Sequence, residues 1–527
     1  MPTLEWIGKS KVINHHQEVP FRVLERRYSY DTEGQHEADN GSENMIVRGD
    51  NLEALKALLP RFEGKVKCIY IDPPYNTGNE GWVYNDNVND PKIKRWLGEV
   101  VGKEGEDLTR HDKWLCMMYP RLKLLEKLMS QDGAIFISID DAEIGNLLLV
   151  CNEIFGEHNH IATFIWQKRY SPDARTAISD AHEFILCYAK NPDLFKESRN
   201  LLPLTYAQTK QFSNPDNDPR GPWKSDNFTA PGYRPNQMYE ITLPSGRVVT
   251  PPEGRCWRVT KEGFDKYVAE DKMIYGNDGD GAPAVKRFLN EMPGMVPWTW
   301  WNHEDVGHTQ EGNKLLATIM GQVVFDYPKP VRLIERIIQI ATTPDSIVLD
   351  SFAGSGTTAH AVLNMNKRDS GHRKFILVEM MDYADNITAE RVKRVISGYG
   401  SDKSAVPGTG GDFSFYDLGE TLMNGEDLNE AVGTDKIREY IWYTETRQPL
   451  PISNPEHPFL LGSHNGTAYY FFYEQDRMTV LDYAFLSTIK EKADGFIIYA
   501  DRCAIAESKL NELGIVFKKI PRDITRL

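Results

Sequence analysis

Between residues 41 and 190 the apolar positions fall into blocks of two kinds. "NMIVRGD", "VKCIYID" and "GAIFISIDD" are short apolar runs closed by an acid, as strands are, while "NLEALKALLP" and "MMYPRLKLLEKLMSQDG" space their apolar residues as helices do. In the last of these Met118, Leu122, Leu125 and Met129 recur at helical intervals, with Gly133 beyond them, which predicts an amphipathic helix lying on a sheet and ending there. Alternation of this sort predicts an α/β domain.

From about 196 to 325 the pattern fades. Pro and Gly become frequent ("SNPDNDPRGPW", "TAPGYRPNQ", "LPSGRVVTPPEGRCW") and aromatics interleave with Arg and Lys. The alternation resumes at "KPVRLIERIIQIAT", "SIVLDSFAGSGTTAHAVLNMN" and "RKFILVEM", so the middle segment reads as an insertion into one sheet domain. "GSDKSAVPGTGGD", 400–412, reads as a linker. The runs "TAYYFFYE", "GFIIYAD" and "IVFKKI" after it predict a small α/β module. The expected division is an N-terminal extension over 1–40, the sheet domain over 41–195 and 326–400, an inserted domain over 196–325 and the module over 412–527.

Composition narrows the class. At 527 residues the chain exceeds one ordinary domain. No apolar run is long enough to span a membrane, and the first residues lack a signal peptide's apolar core, so a cytoplasmic protein with no membrane partner is expected. The six cysteines form no CxxC pair, and His303 and His308 are five apart, which does not place both on one helix face; no disulfide and no metal is expected. The net charge of -15 argues against a polyanionic partner, but its distribution changes the picture. Residues 161–330 hold 20 Lys and Arg against 21 Asp and Glu, whereas residues 411–527 hold 12 against 19.

Two stretches carry chemistry. "DSFAGSGTT", Asp350 to Thr358, follows a strand and opens a helix, where glycines let a ligand approach the backbone. The chain has no GxxxxGK[ST] loop, so nucleotide hydrolysis is not expected. The next strand ends in Glu379, at the place from which an acid reaches ribose hydroxyls, and a small adenosine-like cofactor fits. The second stretch is "DPPY". An exocyclic amine acting as nucleophile needs an acceptor for its N–H, a stiff backbone carbonyl and a flat surface for its ring. Asp72, the Pro73-Pro74 backbone and Tyr75 supply these, because proline fixes φ and removes an N–H.

"DPPY" with "FAGSGTT" resembles the adenine-N6 branch of the S-adenosylmethionine-dependent DNA amino-methyltransferases. The catalytic motif precedes the cofactor motif, which resembles the circularly permuted β-class order. "DPPYNTG", "IFISIDDAE", "NEIFGE", "YPKPVRLIERI" and "SGTTAHAVLNMN" are similar to modification subunits of Type III restriction systems and their stand-alone relatives, over about residues 40–400. The resemblance implies a Rossmann-like class I methyltransferase sheet whose insertion, 196–325, recognises the target. It implies that Asp72, Pro73, Pro74 and Tyr75 hold and activate a flipped adenine. Asp350, Phe352, Ala353, Gly354, Gly356, Thr357 and Glu379 would hold the cofactor, with Asp50 near its adenine end and Lys329-Pro330 on the methionine side. Lys224, Arg234 and Arg247 are candidate DNA contacts. Duplex DNA and a second copy, as a homodimer, are the expected partners, and a separate nuclease-translocase subunit is implied by the Type III relatives but not by the stand-alone ones. Three alternatives stand beside this: a silent recognition subunit, an N4-cytosine enzyme, and a nuclease tail built on Asp501, Glu507 and Lys509.

Overall fold

The computed structural model describes residues 3–77, 99, 109–276, 278–401, 405–452 and 454–522. Two units emerge, one made of Met1–Asn200 with Trp298–Leu527 and the other of Leu201–Pro297.

The larger unit is built on a sheet in which eleven strands are described: β1 (Arg22–Asp31), β2 (Gly34–His36), β3 (Met45–Arg48), β4 (Val66–Ile71), β5 (Met129–Ile139), β6 (His160–Gln167), β7 (His182–Ala189), β8 (Trp300–Trp301), β9 (Ile347–Asp350), β10 (Lys374–Glu379) and β11 (Phe413–Thr421). They lie in the order β8-β6-β7-β5-β4-β9-β10-β3-β11-β1-β2. From β5 to β11 neighbours are parallel; β7 joins β5, and β1 joins β11, antiparallel. This is the α/β, Rossmann-like sheet with permuted motif order that the sequence predicts.

The central strands are continuous apolar runs because both faces are covered. Ile69, Ile71, Ile135, Ile137, Leu349, Ile376 and Val378, alternate residues of four strands, share a core with helices α1 (Asn51–Phe62), α2 (Arg110–Leu128) and α3 (Ile144–Phe155). Cys68, Tyr70, Phe136, Val348, Phe375 and Leu377, the intervening residues, are also buried and so point the other way. Each buried leucine of α1, such as Leu55 or Leu58, contributes about 1.5–3 kcal/mol. Helix α2 starts at a reciprocal cap between Thr109 and Asp112 and ends at Leu128, where β5 begins at once. Gly133 is therefore not a helix stop. It sits inside β5, where a Cβ would come within 2.9 Å of the Val66 carbonyl oxygen.

Adjacent β4 and β9 place Cys68 opposite Val348 and Ile69 opposite Leu349. The chain leaves β4 toward β5 on one side, and β9 toward β10 on the other. Their carboxyl ends therefore flank the crevice where connections diverge, which is where open α/β sheets take ligands.

The structure draws the domain boundaries differently from the expectation. Residues 1–40 are not a separate extension, because β1 pairs with β11 through the register Arg22↔Thr421 to Tyr30↔Phe413. By the same pairing 413–421 belongs to the large sheet instead of the C-terminal module. The linker is partly paired, Gly398–Tyr399 against Val406–Pro407. The inserted unit is narrower than 196–325: β8 pairs with β6, and helices α4 (Thr309–Met320) and α5 (Val331–Ala341) follow it in the larger unit.

Within Leu201–Pro297 a core of Phe228, Ile241, Leu243, Trp257, Phe264 and Val285 holds short antiparallel strands, among them Trp223–Asn227 paired with Ala284–Phe288. Several of its cations are paired internally, Arg220 with Asp218, Lys286 with Asp216 and Arg258 with Asp226.

The C-terminal module holds a sheet in which four strands are described, β12 (Leu460–His464), β13 (Thr467–Phe471), β14 (Gly495–Ala500) and β15 (Ile515–Lys519), in that order. The nuclease reading of the tail fails here. Asp501 is buried and accepts from Arg522 Nε at 2.7 Å and the Thr479 N–H at 2.7 Å, while Glu507 and Lys509 lie on a helix and Lys509 pairs with Glu512. Among the described residues no His, Cys, Asp or Glu cluster could hold a metal, and no helix is long and apolar enough to cross a membrane.

Candidate active site

After β4 the chain runs irregularly through Asp72, Pro73, Pro74 and Tyr75. Two contacts fix this turn. The indole of Trp114 on α2 donates to the Pro74 carbonyl at 2.6 Å. Asn76 takes a left-handed φ of 59°, which asparagine tolerates better than most residues, and its amide donates to the Arg110 carbonyl at 3.1 Å and to the buried Glu143. Pro73, and not Pro74, is among the residues that line the crevice.

Asp72 lies in a network of charged groups. Lys329, just before the Pro330 cap of α5, donates to Asp72 Oδ1 at 2.9 Å, lies 2.8 Å from Oδ2 and reaches the Tyr75 hydroxyl at 2.8 Å. The single phenolic proton of Tyr75 has two acceptors in reach, Asp72 Oδ1 at 2.8 Å and Glu183 Oε2 at 3.0 Å. The hydroxyl as well as the ring therefore belongs to the site. Burial pushes the Asp72 carboxyl above its ordinary range despite the ammonium beside it. Burial acts on Glu183 in the same direction, but Lys329 and Lys168 together outweigh it and hold that carboxyl below its range. Lys329 is held charged, the attraction of Asp72 and Glu183 exceeding the effect of its own burial.

The glycine loop after β9 is tied down from behind. Gly354 donates its N–H to Glu379 Oε2 at 2.8 Å, and Ala353 donates to the Val378 carbonyl at 3.1 Å. Gly354 and Gly356 have φ of 51° and 80°, a region that favours glycine, and Gly356 caps helix α6 (Thr357–Asp369). Asp350 accepts from the Phe352 N–H at 3.0 Å and the Thr358 hydroxyl at 2.5 Å. Burial pushes both Asp350 and Glu379 up to about 7.

Both motifs open into one cavity of about 370 Å³. Of the residues singled out from sequence, Asp72, Pro73, Tyr75, Lys329, Asp350, Phe352, Ala353, Gly354 and Thr357 line it. Asp50, Pro74, Gly356 and Glu379 do not. Asp50 instead caps α1 through the Leu52 N–H at 2.8 Å and meets Arg121 at 3.2 Å, while its neighbour Asn51 donates to the Ser351 carbonyl behind the loop. Glu379 is 4% exposed and spent on backbone donors, Met381 N–H at 2.9 Å besides Gly354. The candidate DNA contacts lie in the other unit. Arg234 is exposed, Arg247 pairs with Asp280 at 2.9 Å, and Lys224 lies over the Phe212 ring.

Sequence reasoning missed Glu183, Lys168, Phe325 and Asp326, which also line the cavity. A signal existed for the first. Glu183 is a lone acid at the head of the apolar run "HEFILCYA", a place where burial costs free energy unless a partner is supplied.

A DNA methylase family model matches residues 66–391. The chain is 33% identical over 445 residues to the Mod subunit of the Type III restriction-modification enzyme StyLTI of Salmonella typhimurium, covering 78% of this chain and 65% of that one. The chain thus spans less than two thirds of that relative's length. It is 30% identical over 362 residues to the Type II methyltransferase M.KpnI of Klebsiella pneumoniae, covering 64% of this chain and 81% of that one. A solved structure, the cytosine-N4-specific PvuII DNA methyltransferase, is similar with 13% identity and a TM-score of 0.34, over 66% of this chain and 86% of that one. With a match that takes in both motifs and well over half of its residues, the chain belongs to the DNA methylase family.

Proposed function

We propose that this chain is a site-specific DNA methyltransferase that moves a methyl group from S-adenosylmethionine to adenine N6 in duplex DNA. The observation that carries this reading is the meeting of the DPPY turn and the glycine loop in one cavity, from motifs far apart in sequence. The cavity suits a cationic, adenosine-bearing cofactor. Its wall holds Asp72, Asp140, Asp180, Glu183, Asp326 and Asp350 against Lys168, Arg169 and Lys329, an excess of acid beside the Phe352 and Phe325 rings. A Cβ on Gly354 would come within 3.2 Å of the Phe325 ring, so a side chain there would crowd the wall on which a ligand lies.

Bound there, S-adenosylmethionine supplies a methyl group made electrophilic by its sulfonium. Asp72 accepts an N–H of the target amine, stabilises the positive charge the nitrogen acquires and receives the proton the methylated nitrogen then loses, which passes on to water, and the Pro73 carbonyl accepts the second N–H. Tyr75 offers the ring on which the base stacks. A paired base presents its amine only edge-on inside the duplex, so the nucleotide is rotated out at a cost of a few kcal/mol, recovered by stacking and hydrogen bonding. Positioning and electrostatics carry the catalysis. A silent recognition subunit would have no need to keep Asp72, Tyr75 and the glycine loop in one cavity. Incubation with unmethylated DNA and labelled S-adenosylmethionine, followed by nucleoside analysis, tests the reading. N6-methyladenine is expected; N4-methylcytosine would overturn the choice of base, and no transfer would overturn the activity.

The inserted unit, Leu201–Pro297, is assigned to target recognition, because its short strands and loops present Arg234 and other polar side chains. Exchange of this unit with that of a relative of different specificity is expected to give an enzyme that methylates the donor's site. An active exchange that keeps the original site would refute it. With little net charge near the recognition segment, DNA binding calls for further contacts, and a second copy or a restriction subunit is the proposed source. The reading places the protein in the cytoplasm, with its DNA.

A further inference from the structure

Asp72 is already taken. Its Oδ1 receives the Tyr75 hydroxyl at 2.8 Å and Lys329 at 2.9 Å, and Lys329 also holds Oδ2 at 2.8 Å. A base amine that uses this carboxylate as its acceptor competes with them for its lone pairs and finds its charge already neutralised by Lys329. A displaced ammonium at so buried a position is costly unless another anion receives it.

That anion is present. Glu183 Oε2 lies 3.0 Å from the Tyr75 oxygen and 3.4 Å from Lys329 Nζ, so a movement of well under an ångström would bring Lys329 to ordinary ion-pair distance. Its other oxygen is 3.5 Å from Lys168, which is in turn held at 2.7 Å by Asp180. Glu183 is 9% exposed and stands at the head of β7, a strand that carries no part of either motif, so it moves with neither the DPPY turn nor the glycine loop.

We propose that Glu183 is a positioning residue that takes over Lys329 and the Tyr75 proton when the target amine docks on Asp72. Lys329 thereby keeps an anion, and Asp72 exchanges a fixed cation for the amine on which positive charge develops during transfer. No covalent bond changes in this step, and every proton stays on its own heavy atom. The proposal rests on the methyltransferase reading above.

The test compares the parent with Glu183→Gln, Lys329→Gln and the double variant, using S-adenosylmethionine and DNA bearing the site that the parent methylates. An amide keeps the size and an acceptor for Tyr75 but holds an ammonium poorly, so Lys329 should stay on Asp72. Single-turnover methyl transfer by Glu183→Gln is expected to fall about tenfold, with cofactor affinity by calorimetry and DNA affinity both within about twofold of the parent. In the double variant the locked cation is gone and the charge balance around Asp72 is restored. Its rate should therefore exceed that of Glu183→Gln alone. A Glu183→Gln protein as fast as the parent would overturn the proposal, as would losses that simply multiply in the double variant. If Glu183→Gln does not fold, Glu183→Asp, which keeps the charge, should fold and transfer methyl groups, and its rate should drop further when Lys329 is also replaced; no further drop would overturn the proposal. Absence of transfer by the parent itself would instead strike at the methyltransferase reading, which the first measurement of the series reveals.

Discussion

Asp72→Asn is expected to bind S-adenosylmethionine and DNA like the parent yet transfer methyl groups on the order of 10²–10³-fold more slowly. The charge of Asp72 acts on positive charge that develops on the amine during the reaction, so its loss falls on the rate and spares ground-state binding. The structure explains why the amide should leave the fold intact. Lys329 has a second anion, Glu183, within 3.4 Å, so neutralising Asp72 does not strand a buried ammonium. Asp72→Ala should be as slow but less stable, because it also removes one of the two acceptors of the Tyr75 hydroxyl and leaves a void. Rapid-quench transfer assays beside calorimetry separate the two effects. A parent-like rate in Asp72→Asn would mean that the "DPPY" turn is only a turn.

Glu379→Ala is expected to weaken S-adenosylmethionine binding by about 1.5–3 kcal/mol, roughly ten- to a hundredfold. From sequence this acid reads as an acceptor for ribose hydroxyls. The structure supplies a second route to the same loss. The carboxylate receives the N–H groups of Gly354 at 2.8 Å and Met381 at 2.9 Å, and removal takes the acceptor from one buried and one part-buried donor. The two routes separate in the protein without cofactor. If Glu379 holds the glycine loop, thermal unfolding of the free protein should also move to lower temperature, since a typical unpaired buried donor costs about 1–3 kcal/mol. Loss of affinity with no change in unfolding would assign Glu379 to the ligand alone, and unchanged affinity would remove it from the site.

Much of the catalytic half is legible in order along the chain. "VKCIYID" and "SIVLD" read as buried strands because residues covered on both faces must be apolar throughout, and the breakers that follow, Pro73-Pro74 and the glycines 354 and 356, are local signals. The domain boundaries were less legible. "RVLERRYSYD" mixes charge with apolar positions because β1 lies near the sheet edge, half exposed, so it does not stand out from a polar extension. The two-residue strand Trp300–Trp301 is too short to show any period, and its place in the sheet comes from pairing with Ile165 and Trp166.

The sequence by itself determined the fold class, the two motifs and their chemical types, since each depends on residues within a few positions of one another. The tertiary structure alone decided which of those residues face the cavity. Cys68 and Val348 become neighbours across a strand pair whose members are separated by the whole inserted unit, and that pairing brings Asp72 toward Asp350. Lys329 reaches Asp72 from the start of α5 and Glu183 reaches Tyr75 and Lys329 from β7, while Asp50 and Glu379 accept from backbone N–H groups and the Pro74 carbonyl accepts from the Trp114 indole. An apolar run records that a strand is buried but not which strand lies beside it, because hydrophobic burial has no direction, and the convergence of side chains depends on that missing neighbour.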